Sequence, residues 1–208
     1  PIFNTLLLVI VVPLLVVLFS FVTSWLVVRS DLPWRKGIDF VAMLPHAMPT
    51  VGIAFAVLMF AFVISPVVSL VGSLAIIVLA HCVSFLAGGT RIANAALLQI
   101  GPDLEEAARV SGARTATTMT QVTLPLVRSS MVFGLLWVAL LAAREVSMGL
   151  FLTGTQNRLF SVAVFTLWQG GLLSYAAAAA VVLVVIMGIV AAAVLMFSGR
   201  AVSTQLPA

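Results

Sequence analysis

Five long apolar stretches occupy most of this sequence and set its fold class. They cover residues 2–28, 40–64, 67–89, 126–152 and 172–197. Each is long enough for a helix to cross the hydrocarbon core of a bilayer, which takes about 20 residues. Backbone groups in lipid must be satisfied within the segment, and barrel strands would instead alternate apolar and polar residues. The sequence therefore predicts an all-α membrane protein, a polytopic bundle with five transmembrane helices.

Composition argues against a soluble protein and against a nucleic-acid partner. Hydrophobic residues make up 63% of the chain and charged residues only 8%, whereas soluble domains carry about 25% charged residues. The net charge is +4, but the basic residues are scattered over the connecting segments and form no dense stripe for phosphate binding. The single cysteine, Cys82, excludes an internal disulfide.

The basic residues also orient the predicted spans. Eight of them fall on one side of the bilayer: Arg29, Arg35, Lys36, Arg91, Arg109, Arg114, Arg128 and Arg200. Arg144 and Arg158 fall near the other side. Because cytoplasmic loops carry the excess of Lys and Arg, we expect the loops at 29–39 and 90–125 and the C-terminus in the cytoplasm, and the N-terminus outside.

A polar segment, residues 101–125, separates the third apolar stretch from the fourth. Pro102 suits the first position of a helix, and the acidic residues after it are favourable at a helix N-terminus. Glu105 and Arg109 stand four residues apart, where an ion pair can form on a helix surface. The sequence therefore predicts a short helix over residues 102–111.

The second half of this segment leads back into the membrane. Gly112 can take the left-handed conformation that ends a helix. We expect a second short polar helix at 115–123, then a turn at Leu124 and Pro125, with Pro125 opening the fourth span. Physical reasoning leaves two readings of the whole segment: a loop that packs on its own helix ends, or a docking element for a cytoplasmic partner.

Seven residues of the segment keep a fixed spacing. They are Glu106, Ala107, Ala108, Gly112, Val122, Leu124 and Pro125. Their pattern, E-A-A-x3-G-x9-hydrophobic-x-L-P, resembles the EAA motif of the permease subunits of binding-protein-dependent ABC importers. The resemblance extends over essentially the whole chain, since "NTLLLVIVVPLLVVLFSFVTSWLV" and "MLPHAMPTVGIAFAVL" are similar to the first two core helices of that family.

The resemblance implies a division of labour between several chains. In this family the EAA helix is the coupling helix, which sits in a groove on a cytoplasmic ATP-binding subunit and transmits its closure to the membrane helices. It implies ATPase coupling by these residues: Glu105, Glu106, Ala107, Ala108, Gly112, Leu124 and Pro125. The other implied partners are a second permease half or homodimer mate, a periplasmic or lipid-anchored substrate-binding protein, and membrane lipid.

The chain departs from the family in its number of spans. Permease halves often have six, whereas five are predicted here, and the sequence starts at Pro1. We therefore expect residues 1–208 to be a single transmembrane domain, as a fragment or as the C-terminal half of a fused permease, with the EAA loop at 101–125 inside it.

Features of a catalytic protein are not apparent. A phosphate-binding loop needs Gly-Lys-Ser/Thr, but the only lysine, Lys36, is followed by Gly37. We therefore expect no cofactor and no metal in this chain, with ATP and Mg²⁺ on the partner ATPase. His46 and His81 lie in apolar surroundings and are interpreted as structural residues. We expect a transport subunit that is not itself an enzyme.

Two features are candidates for the translocation pathway. Arg144 and Glu145 are predicted inside the fourth span, where charges usually face the bundle interior or an aqueous cavity. The alternative is that the span ends just before them and leaves the pair at the headgroups. Pro45 and Pro49 can kink the second span and expose carbonyl groups to a cavity, or they can serve packing alone.

The solute is the least determined part of the function. The segment 144–171 resembles permeases of the ferric-iron type, and permeases for polyamines, thiamine or sulfate are similar there. The chain offers no cluster of Tyr, His and carboxylate residues for ferric iron, but the external binding protein carries most of the selectivity in this family. Two rival classes are a secondary transporter or channel, which needs no ATPase, and a membrane enzyme.

Overall fold

A computed structural model of the chain describes residues 1–155 and 157–203, and the side chains of residues 1–155 and 157–196. Every regular element in this part is a helix, which confirms the predicted all-α fold. The helices are α1 (Ile2–Arg29), α2 (Arg35–Met43), α3 (Thr50–Ile64), α4 (Leu74–Gln99), α5 (Pro102–Val110), α6 (Thr115–Thr118), α7 (Leu124–Arg144), α8 (Ser147–Leu152), α9 (Phe160–Gln169) and α10 (Leu173–Ser203).

Four helical segments within the described residues are long and apolar enough to cross a membrane. They are Ile2–Arg29, Leu74–Gln99, Thr115–Arg144 and Leu173–Met196. A bent pair of shorter helices makes a fifth candidate span. The five predicted spans are therefore confirmed if the bent pair counts as one span; without it the described residues contain four. Several of the predicted boundaries are wrong.

The main core forms where α1, α4 and α7 pack together. It joins the first half of α1, the first half of α4 and the last half of α7 to residues of α3, α8 and α9. Its fully buried members include Leu8, Val12, Val16, Ile76, Ile77, Ala80, Val138 and Met148. Polar side chains also join α1 to α4, since the buried Ser24 hydroxyl donates to the carbonyl of Thr90 at 3.1 Å. Such bonds stabilise helix contacts in lipid, where apolar side chains gain little from leaving the solvent.

Gly89 permits a close approach between α1 and α4. A Cβ atom added at Gly89 would overlap the Ser20 hydroxyl and press on Val16. Gly89→Val is therefore expected to push the two helices apart and to lower the free energy of unfolding by about 1–3 kcal/mol. Thermal unfolding in detergent measures this. The matched control is Gly188→Val on α10, where a Cβ meets nothing within 4 Å; equal melting temperatures for both variants would contradict the packing.

The second predicted span, 40–64, is wrong as one continuous helix. The helical segments Arg35–Ala47 and Thr50–Ile64 meet at an angle of 108°. Pro45 and Pro49 cause the break, because each lacks an amide donor and because Met48, directly before Pro49, is extended with ψ 140°. Residues 44–47 form a 3₁₀ turn at the bend.

The third predicted span, 67–89, is displaced toward the N-terminus. The helix α4 starts only at Leu74, because Gly72 adopts a positive φ of 76° and Ser73 is extended. At its other end α4 continues to Gln99, so Arg91 lies inside the helix. The connecting loop therefore starts after Gln99 and not at residue 90 as predicted. This half of α4 carries polar residues such as the buried Asn94, so its sequence is not a continuous apolar stretch.

The fourth predicted span, 126–152, is wrong at both ends. A single helix runs over Thr115–Arg144 and includes a π-helical turn at Met119–Thr123. Residues 115–123 are helical as predicted, as α6 and the π-helical turn, but they continue directly into α7. The predicted turn at Leu124 does not occur, because residues 123 and 124 both have helical dihedral angles. After Arg144 the helix breaks, and residues 147–152 form the separate α8.

The fifth predicted span, 172–197, agrees closely with α10, which starts at Leu173. The side chain of Arg200, on which part of the orientation depended, lies outside the described side chains. The orientation of the two chain ends therefore stays a prediction.

Candidate functional site

The helix α5 forms because its sequence meets the local requirements of a helix at both ends. Pro102 occupies the first turn, where a missing amide donor costs nothing, and Asp103 and Glu105 place negative charge there. Arg109 places positive charge in the last turn. The predicted helix over residues 102–111 is confirmed, with Ser111 as the C-terminal cap residue.

Gly112 ends α5 as predicted. Its φ is +85°, a conformation that residues with a Cβ rarely adopt. The amide of Gly112 donates to the carbonyl of Arg109 at 2.9 Å, and the amide of Ala113 donates to the carbonyl of Ala108 at 3.0 Å. These two bonds make a Schellman motif, which satisfies the last carbonyls of the helix and turns the chain toward α6.

The residues of α5 divide between an exposed surface and one buried carboxylate. Glu106, Ala107 and Leu104 are exposed, Ala108 is half-buried, and Val110 is 89% exposed. Glu105 is the buried residue of the helix. The motif residues thus form a slender surface open to a partner, whereas Glu105 faces the bundle.

Glu105 joins α5 to the ends of other helices. Its Oε1 accepts from Nε of Arg29 at 3.2 Å and from the hydroxyl of Thr123 at 2.9 Å. The predicted pairing with Arg109 is present but longer, with 4.0 Å between Nη2 and Oε2. Sequence reasoning missed Arg29 because it lies 76 residues away; the signal was a cation placed directly at the end of the first apolar stretch.

The last motif residues lie at the base of α7. Leu124 and Pro125 are exposed, Val122 is half-buried, and the neighbouring Thr123 is fully buried against Glu105. Pro125 lies in the first turn of α7, one residue after Leu124, which directly follows the π-helical turn. Since proline lacks an amide donor, it favours the irregular hydrogen bonding that such a turn requires.

The structure separates the four residues predicted for the translocation pathway into two breaks. Pro45 and Pro49 form the bend between α2 and α3, where Pro45 lines an open apolar groove. Arg144 is exposed at the end of α7, and Glu145 lies half-buried in the break before α8. The helix α7 thus ends at Arg144, so the pair does not lie within one continuous helix. Whether the pair faces a cavity or the headgroups stays a prediction.

The break at Glu145 is held by polar contacts. Its carboxylate accepts from the amide of Met148 at 3.2 Å, and its backbone carbonyl accepts from the Ser161 hydroxyl at 2.9 Å. The first bond supplies an acceptor for a free amide at the start of α8. Glu145 thus fixes the relative position of α7, α8 and α9.

The two histidines occupy different environments. His81 is fully buried, its Nδ1 lies 2.8 Å from the Ile77 carbonyl, and its ring packs edge-on against Phe85. His46 is exposed at the α2–α3 bend. Among the side chains of residues 1–155 and 157–196, no group of three or more His, Cys, Asp or Glu is arranged to hold a metal ion.

The sequence matches the profile of the family described as "binding-protein-dependent transport system inner membrane component" over residues 17–206. The chain belongs to this family. Its members are permeases of ABC importers, so the resemblance carried by the EAA residues is confirmed at that level, and the chain is a multi-pass inner-membrane permease. No protein with a curated description matches the sequence.

Solved structures of permeases share the fold. A bacterial alginate ABC transporter, in complex with an alginate-pentasaccharide-bound periplasmic protein, matches with a TM-score of 0.76 and 19% identity, over 95% of this chain and 76% of that one. The MetNI methionine ABC transporter in an inward-facing conformation matches with a TM-score of 0.72 and 18% identity, over 99% of this chain and 94% of that one. Neither transporter is named for iron, so the ferric-iron type stays a prediction.

Proposed function

We propose that this permease passes solute from an external binding protein across the inner membrane and receives its driving movement at α5 from a separate ATP-binding subunit. The observation that carries this is the exposed surface of α5. Apolar Leu104 and Val110 and small Ala107 are exposed on a helix that lies outside the bundle core. Exposed apolar residues on a polar, surface helix favour contact with another protein.

The proposed assembly follows the ABC importers that share the fold. The ATP-binding subunits would bind α5 from the cytoplasm and hold ATP and Mg²⁺. A second permease half or a second copy of this chain would complete the membrane part, and a periplasmic or lipid-anchored binding protein would deliver solute to the other face. This arrangement requires the N-terminus outside and the C-terminus in the cytoplasm.

Photo-crosslinking from two equally exposed valines tests the docking site. Val110 on α5 is 89% exposed. Val67 is 86% exposed and precedes the N-terminal end of α4, whereas α5 follows the C-terminal end. A photoreactive amino acid at position 110 is expected to capture an ATP-binding protein in native membranes, and the same group at position 67 is not. Mass spectrometry of the crosslinked peptide identifies the captured nucleotide-binding domain.

The proposal fails if position 67 captures the ATP-binding protein or if neither position does. Transport is then measured with the purified complex in liposomes, with and without internal ATP. Uptake that persists without any ATP-binding subunit would favour a secondary transporter.

For the solute, ferric iron is the first candidate, on the likeness of residues 144–171 to ferric-iron permeases. The described residues hold no metal-binding group, so this proposal assigns the selectivity to the external binding protein. Uptake of radiolabelled ferric iron, spermidine, thiamine and sulfate into the same liposomes, each with its binding protein, distinguishes iron from the three alternatives. Uptake of another solute in place of iron would overturn the iron assignment alone.

The two helix breaks are the proposed sites of the pathway. Irregular backbone at membrane depth is tolerated where it is covered by protein or lines an aqueous cavity. Glu145 and Arg144 lie at one break, and Pro45 and Pro49 at the other. Charged or bent segments of this kind are where a solute can meet polar groups inside an apolar bundle.

A further inference from the structure

Arg29, the last residue of α1, makes three hydrogen bonds to two other parts of the chain. Its Nε donates to the Glu105 carboxylate of α5 at 3.2 Å. Its Nη2 donates to the carbonyls of Leu97 at 2.9 Å and Ile100 at 2.7 Å, at the C-terminal end of α4. One guanidinium group therefore connects the ends of α1 and α4 to α5.

The burial of this group shows that the connection is specific. The Arg29 side chain is only 12% exposed, and removing a guanidinium from water is costly unless its donors are satisfied. Here the compensation comes from a carboxylate and from two carbonyls at a helix C-terminus, where the backbone carries partial negative charge. The carbonyl of Leu97 accepts from Arg29 in addition to the amide of Ile100, which lies 3.2 Å away. The planar fork of arginine can reach all three acceptors in one geometry.

Glu105 extends the connection to a third membrane helix. The oxygen that accepts from Arg29 also accepts from Thr123, in the π-helical turn that leads into α7. Since Glu105 is buried, water does not compete effectively for these bonds. The ends of α1, α4 and α7 thus meet at one carboxylate on α5.

The covalent connections of α5 transmit movement less directly. On one side α5 joins α4 through Ile100 and Gly101, and on the other it joins α6 through the left-handed Gly112. Both linkers contain glycine, which permits backbone rotation. A sideways displacement of α5 would therefore be absorbed in the linkers unless the polar contacts held it to the bundle.

We propose that Arg29 is the positioning residue through which displacement of α5 reaches α1 and α4. This inference rests on the proposed function, in which an ATP-binding subunit moves α5. Arg29 does not itself contact that subunit in this arrangement. It keeps Glu105, and with it the whole helix α5, fixed to the ends of the spans.

Arg109 supplies a matched control. It approaches the same carboxylate, but at 4.0 Å, and its side chain is 52% exposed. Exposed ion pairs contribute little, because water and salt screen them. Arg29→Gln and Arg109→Gln thus remove the same charge near the same acceptor, from a buried position and from an exposed one.

Hydrogen exchange on the complete complex tests the proposal without knowledge of the solute. Exchange is compared without nucleotide and with ADP and vanadate trapped on the ATP-binding subunit after ATP hydrolysis. In the unsubstituted complex, nucleotide is expected to change exchange in residues 102–110 and also at the end of α4, residues 91–100. In Arg29→Gln the change at 102–110 remains and that at 91–100 is lost, whereas Arg109→Gln behaves like the unsubstituted complex.

A second comparison needs no nucleotide response. Loss of one charge-assisted hydrogen bond is expected to raise exchange in residues 102–110 of Arg29→Gln by about tenfold, through more frequent local opening. Arg29→Lys, which keeps the charge without the fork, should give an intermediate increase.

The outcomes separate this inference from the proposed function. A full nucleotide response at 91–100 in Arg29→Gln, or equal effects of both Gln substitutions, would overturn the role of Arg29 while α5 remained a docking site. If the unsubstituted chain binds no ATP-binding subunit, the proposed function fails and the transmission role fails with it. Exchange at 102–110 then still decides whether Arg29 anchors α5.

Discussion

Replacing Ala107 by tryptophan is expected to separate this permease from its ATP-binding subunit. Ala107 is exposed on α5 between Leu104 and Val110, and its small side chain allows a partner to approach the helix backbone. An indole at this position would overpack the contact at a cost of about 1–3 kcal/mol. Affinity for the subunit should therefore fall by about 10–100-fold. The amount of ATP-binding subunit that remains on the affinity-purified permease measures the loss.

The control for this substitution adds the same bulk at the other end of the bundle. Ser69 is exposed in the segment before α4, and Ser69→Trp is expected to leave the association with the ATP-binding subunit unchanged. Thermal unfolding of both variants in detergent verifies that the permease is folded. A folded Ala107→Trp permease that retains its full complement of the subunit would show that α5 is not the docking helix.

Replacing Asn157 by aspartate is expected to have the largest effect on stability. The buried Asn157 amide donates to the carbonyls of Ser73 at 2.8 Å and Leu152 at 3.2 Å, and its oxygen accepts from the amide of Gly154. Aspartate keeps the acceptor but directs a second oxygen at two carbonyls. We expect a loss of about 3 kcal/mol or more in the free energy of unfolding, since two buried acceptors lose their donor.

Asn4→Asp provides the comparison for that loss. The Asn4 amide donates to the carbonyl of Arg158 at 3.2 Å, in an exposed position. Water can replace this bond, so the melting temperature should change little. A decrease in melting temperature for Asn4→Asp as large as that for Asn157→Asp would show that the three contacts of Asn157 are not what holds α8 to the start of α4.

The helix α5 could be predicted because its signals are local. Pro102, the acidic first turn and Gly112 lie within a dozen residues, and each acts through its own backbone or that of its neighbours. The partner of Glu105 could not be predicted in this way. Arg29 is 76 residues distant, and nothing in the spacing of charges indicates which cation a buried carboxylate will meet after the helices pack.

The boundaries of the spans were predicted less well, because hydropathy does not report which face of a helix is buried. The second half of α4 carries Thr90 and Asn94, which are polar and yet buried. The segment before α4 is apolar and yet not helical, because Gly72 and Ser73 set the backbone there. Apolar character thus placed this span about two to three turns too early.

The bend in the second span shows a similar limit. Pro45 and Pro49 predicted a kink but not its size. The two helical segments meet at 108°, which is a larger bend than one proline causes. The 3₁₀ turn at Leu44–Ala47 and the extended Met48 add their own changes of direction. Their combined angle depends on packing against α4, which the sequence does not specify.

The close packing at Gly89 has a mechanical consequence for α1 and α4. The two helices are held together at Gly89 and by the hydrogen bond of Ser24, so we expect them to move as one rigid unit. The helix α4 has 26 residues and is therefore about 39 Å long. A tilt of about 5° applied at the Arg29 end would swing the opposite tip by about 3 Å over that length. This displacement is about the width of a water molecule. A slight tilt of the helix pair would therefore be sufficient to open or close a narrow passage beside it.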